Sequence, residues 1–417
     1  MSERIVVPGA RQIIERGIQG PPGPAAATNE IGTPGLQGFG VGVCPAVPAG
    51  FAALSGSTDP GSATYGNYQY SDGSLMVWLP AFSYKWGTGA NGFALNAVDI
   101  RPYSAFADAA TANAAGYALH RAFYDGGATQ RGVFVDKYFC SNQGGVASSI
   151  YLGNPLSSQA GYNPFSGLTG APANNYGGAI AAAKTRGANF FCSSRFIFAA
   201  LAMLAYAHGR AATGTAWCAW YDAALVKNFP KGNNNNLVDV NDTAVTFTIG
   251  SYANQSKTGS GVTLAKTTHN GQACGVADLN GNLWEINPGL TSDGALYYAL
   301  KTSAQMKALT GGNTLATDLW GATGIAANYD SLGATFGAVL ASNTQKLMGS
   351  STQVFAEAVS GATWQATGAG VPLAGGVSGT NAFGNDGRWD YRPNELCPSS
   401  GGAWADGSVA GVWALDL

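Results

Sequence analysis

The chain has 417 residues, a mass of 42.5 kDa and a formal net charge of −2, room for about two or three domains of roughly 150 residues. Charged residues make up only 11% and glycine occupies 60 positions, against usual shares of about 25% and ~7%, so the surface must rely on Asn, Thr, Ser, Gln, Gly and aromatics. With 21 basic against 23 acidic residues there is no cationic excess to neutralise phosphates, which argues against nucleic acid as a partner.

The opening Met1-Ser2-Glu3-Arg4-Ile5 lacks the basic-then-apolar order of a signal peptide. No apolar run approaches the ~18 residues of a membrane span, so the expectation is a product made in the cytoplasm without membrane insertion. Residues 1–16 hold two short apolar patches, Ile5-Val6-Val7 and Ile13-Ile14, too small to fold alone and suited to docking on something larger.

Residues 17–40 carry the only repeat. Gly17-Ile18-Gln19, Gly20-Pro21-Pro22 and Gly23-Pro24-Ala25 are Gly-X-Y triplets. Gly32-Thr33-Pro34, Gly35-Leu36-Gln37 and Gly38-Phe39-Gly40 continue them in the same register, broken by Ala26 and Asn29. A collagen triple helix needs glycine at every third place because three chains crowd one axis. A flexible Pro/Gly linker is the other reading. Either way the segment separates the leader from the rest, and a triple helix would make the protein a homotrimer.

From 41 to 130 the pattern is β-rich. Ser74-Leu75-Met76-Val77-Trp78-Leu79-Pro80 follows the turn dipeptide Asp72-Gly73, and Phe82-Ser83-Tyr84-Lys85-Trp86 alternates before Gly87. Gly132 to Phe139 reads the same way. A helix is predicted over 194–208, with Phe196, Ala199, Ala200, Met203, Leu204 and Ala207 at helical spacing, Ser193 or Ser194 as cap and Gly209 as stop. A shorter Ala-rich helix is predicted at 178–186. Beyond 210, Gly and Asn clusters interrupt short apolar runs, which makes 131–417 a loop-rich α+β unit.

Six cysteines stand without CxxC or zinc-type spacing. They read as buried free thiols in a reducing compartment. With His120, His208 and His269 far apart, neither a metal nor a cofactor is expected. Asp239, Asn241 and Asp242 alternate oxygen ligands without the spacing of a calcium loop. His208-Gly209-Arg210 falls at a helix end, where a cation meets the carbonyl dipole.

Three segments, in order, resemble the formylglycine-generating-enzyme type of C-type lectin fold. Gly187-Ala188-Asn189-Phe190-Phe191-Cys192-Ser193-Ser194-Arg195 through Gly209 resembles its second-helix region. Cys274 to Glu285, with Gly281-Asn282-Leu283-Trp284-Glu285, is similar to its "G-N-V-W-E-W" signature, and Gly401-Gly402-Ala403-Trp404 with Gly411-Val412-Trp413 to its terminal strands. The resemblance implies an α+β chain with a C-type lectin-like head at 131–417, and places Trp284 and Trp404 in its core.

Asp72 to Trp86 and Gly116 to Phe123 resemble segments that precede such heads in phage tail proteins. The implied protein is a phage tail fibre or tail-tip adhesin similar to the major tropism determinant. It is virion-located and non-catalytic, with residues 1–16 held by other tail proteins and the head on a host-surface receptor.

The enzymatic relatives use two cysteines after the "G-G-S-W" element, and no Cys follows Trp404 here. A formylglycine-generating or glycan-hydrolysing enzyme is the alternative, the latter through carboxylates such as Asp386 with Asp390 or Asp278 with Glu285. A third reading is the variable protein of a diversity-generating retroelement.

The candidate receptor contacts are Asp386, Arg388, Trp389, Tyr391, Arg392 and Asn394, a concentration of aromatic, guanidinium and carboxylate groups in a chain that otherwise avoids charge. The alternative for this stretch is core aromatics with arginines paired to Asp386 and Asp390. The loop Lys231 to Asn236 is a second candidate, or else a solvated turn.

Overall fold

The computed structural model describes residues 30–416 apart from 225–227, 243–244, 248–253, 262, 293–295, 302–327, 334–344, 350–351, 374–382, 384 and 390–396. The expected leader 1–16 and the triplets of 17–25 lie outside these residues. The architecture is α+β, several small sheets around one long helix.

Predicted strands form where the alternation and turn signals place them. Leu75–Pro80 follows a turn in which Asp72 Oδ1 accepts the Ser74 amide at 2.9 Å. It lies between Asn67–Tyr70 and Gly132–Asp136 in a four-stranded antiparallel sheet ending at Phe51–Ala53. Phe82–Trp86 leaves for a second sheet, between Val98–Pro102 and Ala118–Leu119.

The long helix spans Arg195–Ala211. Ser194 caps it by accepting the Ile197 amide at 3.3 Å, and the helix runs through Gly209 to close with the Ala212 amide on the His208 carbonyl. A helical glycine costs only about 1 kcal/mol, so packing carries the helix past Gly209. Every residue from Arg195 to Gly209 is buried, Arg195 and His208 included, and a helix apolar round most of its circumference has to be covered on all sides. The Ala-rich helix is Tyr176–Lys184, capped by Asn175.

A five-stranded C-terminal sheet covers the start of the long helix. Its order is Glu285–Ile286, Ser399–Gly401, Gly411–Asp416, Gly387–Trp389 and Gln345–Leu347. Only the pair Gly387–Trp389 and Gly411–Asp416 is parallel.

Two expectations about domain organisation are corrected. Residues 32–40 form tight turns, with φ of +77°, +82°, +72° and +81° at Gly32, Gly35, Gly38 and Gly40. A collagen strand needs φ near −75°, so these triplets are no triple helix. They are docked instead. Ile31 and Phe39 are fully buried, and Phe39 stacks on the His208 ring at 5.2 Å.

The expected boundary at 130 is crossed as well. Gly132–Asp136 pairs along Leu75–Pro80, and one apolar cluster joins Phe39, Val77 and Trp86 to Phe198, Cys274 and Trp413. Residues 41–130 and the rest therefore share a core. At its centre Trp86, Tyr206, Phe355, Phe383 and Trp413 touch ring to ring, with Tyr206 and Phe383 stacked at 4.6 Å.

Candidate recognition face

The Asn280-Gly281-Asn282 turn sets the edge of the C-terminal sheet. Gly281 and Asn282 have φ of +72° and +68°, and a Cβ at Gly281 would lie 2.3 Å from the Asn233 carbonyl oxygen, so only glycine fits there. The Asn282 amide donates to the Asn233 carbonyl at 2.6 Å, and the Trp404 amide to the Asn282 carbonyl at 3.0 Å. This crossing delivers Glu285 to the strand beside Ser399–Gly401, with Trp284 just before it.

Strand alternation then splits the sheet into two faces. Across the strands, Glu285, Ser400, Leu415, Arg388 and Lys346 form one row. It packs inward: Arg388, Leu415 and Ser400 are buried, and Ser400 Oγ accepts from Arg195 Nη1 at 2.5 Å. The opposite row is Ile286, Ser399, Asp416, Trp389 and Gln345. Its members are half-buried, and Gln345 is exposed.

Trp389 is the one described candidate on that outer row. Its indole turns back over Gly387, where an added Cβ would meet Trp389 Cη2 at 2.7 Å, and it meets Trp284 edge to face at 5.4 Å. The Trp284 indole hydrogen-bonds the Asp406 carboxylate, and burial with the neighbouring Asp406 raises Asp416 above the usual range. Trp284 and Trp404 were expected in the core. Both are half-buried at this surface, and the fully buried indole near the sheet is that of Trp413.

The other candidates sort differently. Arg388 is 0% and Asp386 2% exposed, so neither reaches a receptor, because strand pairing turns Arg388 to the helix side. Asp386 Oδ2 accepts the Trp413 amide at 2.8 Å, and burial pushes its carboxyl well above the ordinary value. Tyr391, Arg392 and Asn394, together with Asp390, lie outside the described residues.

Lys231 to Asn236 is an open polar loop only at Asn235 and Asn236, which are exposed. Lys231, Asn233 and Asn234 are buried. The Asn233 amide nitrogen donates to the Asn254 carbonyl at 2.7 Å, and Asn234 Oδ1 accepts from the Val240 amide at 2.9 Å. These two amides serve the fold. Asp239 likewise accepts from the Gly232 and Asn241 amides, and burial raises it to about 6. Among the described residues no group of three His, Cys, Asp or Glu could hold a metal.

A buried ionic cluster escaped the sequence reading. The Arg186 guanidinium bonds Asp136 Oδ1 at 2.5 Å, lies 3.2 Å from Asp72 Oδ2 and 3.4 Å from Cys140 Sγ, and is faced by the Phe190 ring at 4.9 Å. These residues are 114 positions apart at the extremes, from 72 to 186, and no local spacing signals them. Burial, with Asp136 beside it, holds the Cys140 thiol well above its usual range, and burial raises Cys218 to about 12. All six cysteines are free, and three of them, Cys44, Cys218 and Cys274, are buried.

The histidines are structural. His208 Nδ1 accepts the Gly35 amide at 3.0 Å while Nε2 faces the Trp217 carbonyl at 2.7 Å, and burial lowers it to about 4. It is therefore neutral, which leaves Arg210 as the basic residue of the last turn. His269 accepts the Val276 amide, faces the Gly40 carbonyl, and is lowered to about 3. Asp278 and Glu285, weighed as a catalytic pair, are raised to about 6 and about 7, chiefly by burial; Asp278 accepts the Phe139 and Gly259 amides.

Among the described residues no helix is long and apolar enough to cross a membrane. Compared with known proteins, the chain matches no protein-family model and none of the curated proteins.

Proposed function

We propose that the protein is a non-catalytic phage tail fibre or tail-tip adhesin with a C-type lectin-like head that binds a host-surface receptor. One observation carries this: the three segments that resemble the lectin-like fold, distant in sequence, converge on one sheet. The helix segment supplies Arg195 beneath it, the Gly-Asn-Leu-Trp-Glu segment supplies the strand Glu285–Ile286, and the terminal segment supplies Gly411–Asp416.

The convergence leaves an outer face whose side chains are held by a packed inner face. Rigid scaffolds of this kind suit recognition, because little order has to be imposed on binding. The homotrimer in this reading rests on the triplets of 17–25 alone, since 32–40 fold back on the core. Three heads would multiply weak contacts by avidity.

Purified full-length protein, added to candidate host cells before phage, is expected to bind them and lower adsorption, and strains deleted for the receptor should lose that binding. Failure to bind any susceptible strain, or turnover of a host glycan or a Cys-containing peptide, overturns the reading.

A further inference from the structure

The outer row of the C-terminal sheet carries an amide at Gln345, an indole at Trp389, a carboxylate at Asp416 and a hydroxyl at Ser399, on four neighbouring strands. Strands lie about 4.8 Å apart, so these groups span on the order of 14 Å, the reach of a short oligosaccharide. From this juxtaposition we propose that the row is a binding site for a neutral oligosaccharide. The assignment names a ligand class for the face described above and rests on the adhesin reading.

The chemistry points to a hydroxyl-rich, uncharged ligand. An indole offers a flat apolar surface against which the C–H face of a pyranose ring can lie, while its edge stays polar. Trp284, edge-on at 5.4 Å, braces that indole. Carboxylate, amide and hydroxyl beside it supply both acceptors and donors for sugar hydroxyls.

Charge selects among sugars. The row contains no Lys or Arg, because strand alternation places Lys346 and Arg388 on the opposite face. Its one ionisable group is Asp416, with Asp406 close enough to influence it. An anionic saccharide would meet repulsion from that carboxylate, with no cation in the row itself to offset it, whereas a neutral one meets none.

The test uses full-length protein on an immobilised panel of neutral oligosaccharides built from glucose, galactose, mannose, rhamnose and N-acetylhexosamines, with a matched sialylated and phosphorylated panel. Neutral members should bind and charged ones should not. Trp389→Ala and Asp416→Asn should each weaken binding about tenfold or more. Gln345→Ala, at an exposed edge position where substitutions usually change stability by no more than about 0.5 kcal/mol, should weaken it severalfold.

Silence across the neutral panel, preference for the anionic panel, or full affinity in Gln345→Ala and Asp416→Asn overturns the assignment. Cell binding that survives all three substitutions also overturns it and leaves adhesion standing, with a protein receptor as the consequence. Neutral-glycan binding through the row without attachment to any cell keeps the assignment and removes adhesion.

Discussion

Asp386 is the residue whose burial says most about its protonation. A carboxyl with 2% exposure that faces one backbone amide is poorly compensated as an anion, so folding raises its pKa well above the ordinary value. The folded state then binds more protons than the unfolded one above the unfolded pKa near 4, and stability contributed by this group is lost as pH rises from there. Asp386→Asn, which keeps the shape and the acceptor, should melt close to the parent at pH 4 and progressively above it toward pH 8. Parallel thermal melts at each pH check this, and a constant difference would contradict it. The histidines act in the opposite direction: those of His208 and His269 lie below their unfolded value, so their contribution is lost as pH falls below about 6.5.

At the scale of elements, the long helix shows how cap and packing divide the work. Ser194 satisfies one of the orphan amides at the N-terminus, and replacing such a cap by Ala costs about 1 kcal/mol. Ser194→Ala is therefore expected to lower stability in urea by about that amount without changing the denaturant slope. The helix was readable because its apolar spacing and cap are local. Strands Leu75–Pro80 and Phe82–Trp86 were readable for the same reason. The C-terminal strands were legible only through the resemblance, because Val412, Trp413, Ala414 and Leu415 are all buried and show no alternation, so nothing local reveals that Asp416 and Trp389 share an outer row.

For the whole molecule, the N-terminal turns are the sharpest departure from expectation. Gly40 approaches His269 so closely that a Cβ would sit 2.5 Å from Nε2, and Phe39 stacks on His208 in the core. In a detached stem Phe39→Ala would be nearly silent. Here it should cost about 3–5 kcal/mol, the usual loss for a buried Phe, measured by denaturant unfolding of the full-length protein followed by tryptophan fluorescence.

By itself the sequence determined what depends on neighbours along the chain: the α+β character, the capped helix at Ser194 and the strands after Asp72-Gly73. Tertiary structure alone decided what depends on partners far away. The Gly-X-Y spacing of 32–40 reads as a triple helix or a flexible linker, and burial of Ile31 and Phe39 overrules both in favour of turns docked on the core. The Asp386 to Trp389 stretch looks like one charged and aromatic patch, yet strand pairing sends Arg388 inward and Trp389 outward. Period-two geometry makes adjacent residues face opposite ways, and which way becomes known only when another element covers one face.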